Sequence, residues 1–148
     1  MSTSTRVMSA TPEKVWSVLC DGWSYPLWVV GASRMREVDD NWPQNGALLH
    51  HSVGTWPALL DDTTEVLDSR PLSMLRLRAR TWPVGSANVL VRIDAVGIHT
   101  EVTIEEAVVN GPALVVPRPV RDVGLKWRNE ETLRRLAYLV ERRPSQPR

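Results

Sequence analysis

Residues 10–21 read ATPEKVWSVLCD, and this stretch carries the signals of a short helix that follows an extended segment. Thr11 is a suitable N-cap, and Pro12 fits the first helical position, where a backbone N–H is not needed. Apolar residues then recur at helical spacing until an Asp-Gly pair ends the stretch. Residues 3–9, just before it, have the β-branched composition of a strand. The chain is therefore predicted to begin with a strand and a helix.

The pattern downstream changes to short extended segments separated by turn residues. A second short helix or turn is predicted over residues 23–28, and Pro26 limits where it starts. The gaps between the later segments are too short for crossover helices, so neighbouring strands should be antiparallel. The predicted strands are residues 34–40, 46–53, 62–68, 74–82, 87–96 and 100–109.

Two of these strands predict a sheet with one covered face. Residues 75–80 and 87–94 alternate between apolar and polar side chains, which is typical of a sheet wet on one side only. The cover is a predicted helix over about residues 120–142, which contain no proline. Its inward stripe is predicted to consist of Val123, Trp127, Glu130, Leu133, Leu136, Ala137 and Val140.

The order of elements is a strand, two short helices, about six antiparallel strands and a long C-terminal helix. In this order and in four stretches the chain resembles the START/Bet v1-like (SRPBCC) superfamily, and within it the bacterial polyketide cyclase/dehydrase-type branch. The resemblance covers nearly the whole chain, and its opening stretch is the more specific part. The four stretches are ATPEKVWSVLCD, YPLWVVGA, WPQNGALLHHSVGTWP and NEETLRRLAYLVE.

The resemblance implies an α+β helix-grip fold, with a curved antiparallel sheet of about seven strands wrapped round the C-terminal helix. It also implies a cavity for a hydrophobic ligand between sheet and helix. A chain of 148 residues fits one domain, which we expect over residues 1–143, with a frayed tail at residues 144–148.

Composition narrows the functional classes. A net charge of +1 gives no electrostatic reason to expect nucleic acid, and no apolar run approaches the roughly 20 residues of a membrane span. A single cysteine and the lack of an N-terminal signal peptide fit a cytoplasmic protein. Phosphate-binding glycine loops and nucleophile elbows are absent from the sequence, and we expect no cofactor. A monomer and a homodimer both remain open.

The adjacent His50 and His51 raise the question of a metal or catalytic site. Neighbouring side chains on a strand point to opposite faces, so only one histidine can face the cavity. His51 shares its face with Leu49 and Val53, and this more apolar set favours His51 as the inward residue. We expect no metal, because the sequence offers no cluster of convergent ligands. The alternative is that the inward histidine only packs or hydrogen-bonds at a wall.

Glu106 is the second candidate for chemistry. It continues the apolar phase of Val102 and Ile104, so its carboxylate should lie on the covered face. An inward carboxylate needs a partner, and an arginine or His51 would supply one. The alternative is a strand that bulges or reaches the rim, which would leave Glu106 in water.

Aromatic residues are expected to line the cavity as a group, although any one of them is more often a packing residue. Arg76, Arg78 and Arg80 are interpreted as a solvated stripe, with Arg80 at the cavity mouth as the alternative. The predicted ligand-binding residues are Trp23, Tyr25, Trp28, His51, Trp56, Trp82, Val91, Ile104, Glu106 and Trp127.

Three functions remain open. The first is binding of a hydrophobic small molecule that is lipid-, polyketide- or aromatic-like. The second is a polyketide cyclase/dehydratase-like enzyme, in which His51 and Glu106 would be the catalytic residues and move protons. The third is a scaffold whose interior is filled by side chains. A cavity would contradict the third, and polar groups converging in it would favour the second.

Overall fold

The computed structural model describes residues 2–30, 32–53, 60–81 and 85–143 of the chain. Within them, seven antiparallel strands form one sheet and a long helix covers it, which is the helix-grip fold predicted from the sequence. The strands are β1 Ser2–Met8, β2 Ala32–Val38, β3 Leu48–Val53, β4 Leu60–Arg70, β5 Met74–Thr81, β6 Gly85–Val96 and β7 His99–Asn110. The helices are α1 Pro12–Cys20, α2 Tyr25–Trp28 and α3 Arg118–Arg142, with short 3₁₀ turns at Gly22–Ser24 and Pro112–Val115.

The strand order across the sheet is β1-β7-β6-β5-β4-β3-β2. Strands β2 to β6 each pair with the next strand in the chain, as the short predicted connections require. β1 pairs with β7, in a register that places Ser2 opposite Glu106 and Met8 opposite Thr100. The first strand of the chain is thereby fixed beside the last one.

α1 begins and ends as the sequence predicts. The Thr11 Oγ1 accepts a hydrogen bond from the backbone N–H of Lys14 at 3.3 Å, and Pro12 occupies the first helical position. The turn after α1 lies close against the sheet at Gly22. A Cβ added there would lie 2.7 Å from side-chain atoms of both Val38 and Leu49, so only glycine allows this approach.

α3 follows the predicted stripe in its C-terminal half only. Leu136 and Val140 are fully buried against the core, but Val123 and Trp127 are 70% and 67% exposed. A helix turns about 100° per residue, so Trp127 lies about 180° round the axis from Leu136. The prediction that Val123 and Trp127 face the sheet is wrong, because three successive steps of three residues, from Leu136 back to Trp127, fall behind the helical period of about 3.6 residues. No helix of the described ranges combines the length and apolarity that crossing a membrane requires.

Candidate functional site

A cavity lies between α2, α3 and the covered face of the sheet. Its volume is about 90 Å³, several times the roughly 10–15 Å³ that holds one water molecule. The scaffold alternative, with an interior filled by side chains, does not describe this molecule. The lining residues are Tyr25, Trp28, Val29, Val30, Ala32, His51, Thr64, Leu77, Ala79, Arg80, Val89, Val91, Ile104, Glu106, Arg128, Asn129 and Thr132.

The sheet supplies the apolar wall through the register of its central strands. Val91 on β6 lies opposite Ile104 on β7, and both side chains are 1% exposed. Two residues away along β6, on the same face, Val89 lies opposite Glu106 on β7 and opposite Leu77 on β5. Directly opposite residues in a sheet share a face, so Glu106 belongs to the apolar wall that Val91 and Ile104 were predicted to form.

His51 is the inward histidine, on the face that its apolar neighbours predicted. It is buried, and its Nε2 hydrogen-bonds with the Thr64 hydroxyl at 2.8 Å. The Tyr25 hydroxyl reaches the same Thr64 oxygen at 3.3 Å. His50 points to the other face, where its Nε2 lies 3.0 Å from Asp39 Oδ1. A chain of three hydrogen-bonding side chains thus joins α2 to the sheet inside the cavity.

Burial sets the protonation of this chain. Loss of water lowers the pKa of His51 below its usual 6.5; the negative charge of Asp62 opposes this, and Arg36 and His50 add to it. Burial also raises the pKa of Tyr25 above its usual 10. Near neutral pH both rings are therefore uncharged, and the imidazole Nδ1 is an acceptor when Nε2–H donates to Thr64 and a donor in the other tautomer.

Glu106 lies inward as its strand phase predicted, and its side chain is 2% exposed. Its partner is Arg128 of α3, whose Nη2 donates to Glu106 Oε1. Burial lowers the pKa of Arg128, and the nearby Tyr25 opposes that shift. The expected arginine partner is present. It comes from a helix position that the sequence analysis did not assign to the cavity.

Four buried polar atoms at the cavity have no hydrogen-bond partner among the described residues. They are Trp28 Nε1, His51 Nδ1, Glu106 Oε2 and Asn129 Nδ2, and all four residues line the cavity. Trp28 and Asn129 offer donors, Glu106 offers an acceptor, and His51 offers either according to its tautomer. Buried polar atoms in proteins are nearly always paired, so these four lining residues are the candidates for contact with a polar ligand group.

The predicted aromatic lining is present in part. Tyr25 and Trp28 line the cavity and contact each other edge to face, with ring centroids 5.4 Å apart. Trp23 is 59% exposed and, like Trp127, lies outside the lining, which corrects both expectations. Trp56 and Trp82 fall outside the described residues. Arg80 is exposed and also reaches the lining, so the alternative that placed it at the cavity mouth is the better description.

Sequence reasoning missed the polar wall contributed by β4 and α3. Thr64, Arg128, Asn129 and Thr132 line the cavity, and the Thr132 hydroxyl accepts the backbone N–H of Val30 at 3.3 Å. The available signal was helical spacing, since Asn129 and Thr132 lie one turn from Leu133 and Leu136 on the inward side. In the described part of the chain, no three His, Cys, Asp or Glu side chains are grouped to hold a metal ion.

Comparisons with known proteins address the fold. No protein-family model and no curated protein matches the sequence. Among solved structures, the chain resembles Ara h 8.0201 with 9% identity and a TM-score of 0.71, over 93% of this chain and 95% of that one. It resembles DynU16, a protein of the dynemicin biosynthetic locus, with 19% identity and a TM-score of 0.69, over 95% of this chain. It also resembles the di-domain ARO/CYC StfQ from the steffimycin biosynthetic pathway, with 8% identity and a TM-score of 0.71, over 94% of this chain.

The chain spans about half the length of two of these proteins, 47% of DynU16 and 49% of StfQ. At these identities the likeness concerns the fold alone. The structure therefore shares the helix-grip fold with these three proteins, which is the fold that the sequence resemblance implied.

Proposed function

We propose that this protein binds a hydrophobic molecule that carries hydrogen-bonding oxygen atoms, in the cavity between α3 and the sheet. The observation that carries the proposal is the set of four unpartnered buried atoms, on Trp28, His51, Glu106 and Asn129, within apolar walls. A buried polar atom without a partner costs about 1–3 kcal/mol, and a ligand with matching groups recovers that free energy. A plain hydrocarbon chain recovers none of it.

This chemistry favours the polyketide- or aromatic-like ligand over the plain lipid among the three ligand types expected from the sequence. A hydroxylated ring donates to Glu106 Oε2 and accepts from the indole N–H of Trp28 or the amide of Asn129. Its apolar edge packs against Val91 and Ile104. The likeness to DynU16, from the dynemicin biosynthetic locus, and to StfQ, from the steffimycin biosynthetic pathway, supports this choice.

Calorimetric titration with 2-naphthol and naphthalene tests the proposal, since the two differ by one hydroxyl group. We expect 2-naphthol to bind saturably and naphthalene to bind roughly fivefold or more weakly, as one hydrogen bond of about 1 kcal/mol predicts. Trp28→Phe removes an unpartnered donor and should narrow the difference. Trp23→Phe is the matched control, because Trp23 is exposed and should leave both affinities unchanged. Absence of saturable binding by both compounds would contradict a binding function.

A second candidate is acid–base catalysis of a cyclase/dehydratase type, favoured by the hydrogen-bond chain from Tyr25 through Thr64 to His51. Uncharged His51 would take a proton from a carbon between two carbonyls through Nδ1, leaving an enolate whose oxygen lies near Trp28 or Asn129. Glu106 is the weaker participant, because Arg128 already occupies one of its oxygens.

Deuterium exchange at the central carbon of benzoylacetone tests this candidate without requiring the natural substrate. The protein should accelerate exchange, and His51→Gln should reduce the acceleration by roughly 100-fold or more, the usual scale of general base catalysis. Glu106→Gln should reduce it less. His50→Gln is the matched control on the opposite face of the same strand. If wild type and His51→Gln both bind benzoylacetone and exchange it at equal rates, His51 is not a general base and the catalytic candidate is wrong.

A further inference from the structure

A second apolar pocket lies beyond the cavity, between the N-terminal half of α3 and the ends of β6 and β7. We call it the distal pocket; its volume is about 340 Å³, and its apolar walls include Val108, Val116, Val120 and Leu125. Val120 is 64% exposed and Val116 is 40% exposed, so the distal pocket presents apolar surface that the protein itself leaves uncovered.

The distal pocket and the cavity are neighbours with a common wall. Ala79, Glu106 and Arg128 line both. The ion pair between Glu106 and Arg128 forms the polar part of this wall, and Ala79 contributes only a methyl group to it. Glu106 Oε2 is unpartnered and buried at this junction, so a donor group at the point where a ligand crosses the wall has an acceptor there.

Gly124 adds open space on the α3 side of the distal pocket. A Cβ added at Gly124 would meet no heavy atom within 4 Å, so nothing in the packing requires glycine at this place. Glycine is also a poor residue for the middle of a helix. The consequence of having it here is a wider distal pocket.

We propose that the distal pocket is a second binding compartment, which takes the apolar end of an elongated ligand whose oxygen-bearing ring lies in the cavity. The ligand passes over Ala79 and beside the Glu106–Arg128 pair. The inference rests on the proposed binding function and specifies its ligand class as an amphiphile with a polar ring and an unbranched apolar tail. If a ligand occupies both compartments, its affinity should rise with the length of its apolar tail. If it occupies the cavity alone, its affinity should not.

The test uses 4-ethylphenol and 4-nonylphenol, which share a ring and differ in tail length, titrated by calorimetry against three proteins. In the wild type, 4-nonylphenol should bind at least tenfold more tightly. Gly124→Leu fills the distal pocket and should weaken 4-nonylphenol at least tenfold while 4-ethylphenol changes less than twofold. Gly124→Ala is the matched control and should leave both affinities unchanged. Thermal unfolding checks that each variant is folded.

Methyl NMR gives an independent measurement on the wild-type protein. 4-Nonylphenol should shift the methyl signals of Val120 and Leu125, and 4-ethylphenol should leave them in place. If 4-ethylphenol binds and Gly124→Leu leaves the affinity for 4-nonylphenol unchanged, the second compartment is wrong and the cavity proposal stands. If neither phenol binds the wild type, both proposals are wrong.

Discussion

The rings of Tyr25 and His51 stack with their centroids 5.6 Å apart and their planes at 28°, and both side chains hydrogen-bond with the same Thr64 hydroxyl. Tyr25 belongs to the short helix α2, and His51 and Thr64 belong to neighbouring strands. This one hydroxyl therefore fixes a wall residue from the helix layer to two wall residues of the sheet.

Thr64→Val should destabilise the fold more than Tyr25→Phe. The valine keeps the shape but leaves two buried groups, on Tyr25 and His51, without their common partner, at about 1–3 kcal/mol each. Tyr25→Phe removes a hydroxyl and leaves the His51–Thr64 hydrogen bond intact. Urea unfolding of both variants measures the free energies. A smaller loss in Thr64→Val than in Tyr25→Phe would contradict this account of the cluster.

His51 should make stability depend on pH on the acidic side of neutrality. Its pKa in the folded protein is below the 6.5 of the unfolded chain, so the unfolded state binds more protons as the pH falls. The stabilisation is complete above 6.5 and declines as the pH falls through 6.5 toward the folded pKa. Urea midpoints between about pH 8 and about pH 5 measure the slope, and His51→Gln should flatten it. An NMR titration of the His51 ring protons identifies the group, and an unchanged slope in the variant would assign the effect elsewhere.

Substitution of Arg128 should lower the free energy of unfolding more than substitution of its partner Glu106. Arg128→Gln leaves a carboxylate that is 2% exposed without its cation, which for buried pairs costs about 3–5 kcal/mol. Glu106→Gln should cost less, because the Arg128 side chain is 36% exposed and reaches water. Chemical unfolding of both single variants and of the double variant gives the coupling between them. Equal losses in the two single variants would show that Arg128 is as confined as Glu106.

Arg143 joins the end of α3 to α1 by two hydrogen bonds. Its Nη1 donates to the Ser17 carbonyl at 2.8 Å and its Nη2 donates to Asp21 Oδ2 at 3.1 Å. Arg143→Ala should lower the free energy of unfolding by roughly 1 kcal/mol, since both partners are only partly buried. Arg142→Ala is the neighbouring control, whose guanidinium lies 3.8 Å from the Tyr138 ring centroid and should matter less. If Arg142→Ala lowered the free energy of unfolding more than Arg143→Ala does, the hydrogen bonds of Arg143 with α1 would not be the stabilising contact.

The fold was predictable because most of its signals are local. Thr11 and Pro12 specify the start of α1, and period-two alternation places Val91, Ile104 and Glu106 on one face of the sheet. Adjacent residues of a strand point to opposite faces, so only one of the two histidines can face the cavity. The apolar residues that share a face with His51 decided which one. These inferences use backbone geometry that holds for any sequence, which is why the structure agrees with them.

The candidate site was predictable only where its wall is apolar. The inward face of α3 changes from Leu133 and Leu136 to Arg128, Asn129 and Thr132 as it passes the cavity. A search for apolar residues at helical spacing passes over such polar residues. It therefore assigned Trp127 to the inside in place of Arg128 and Asn129. The spacing of hydrophobic residues does not indicate where the polar residues of a site lie, whether they contact a ligand or one another across the cavity. Their partners come from distant elements and appear only in three dimensions.

The pairing of β1 with β7 has a consequence for the order of events in synthesis. Ser2 lies opposite Glu106, so β1 has no partner strand until synthesis has reached β7. Closing so long a loop is slow, and until then neither edge of β1 has a partner strand. The cavity also needs β7 and α3, the last two elements, for its Glu106 and Arg128. A chain that has not yet reached β7 and α3 therefore has no complete cavity.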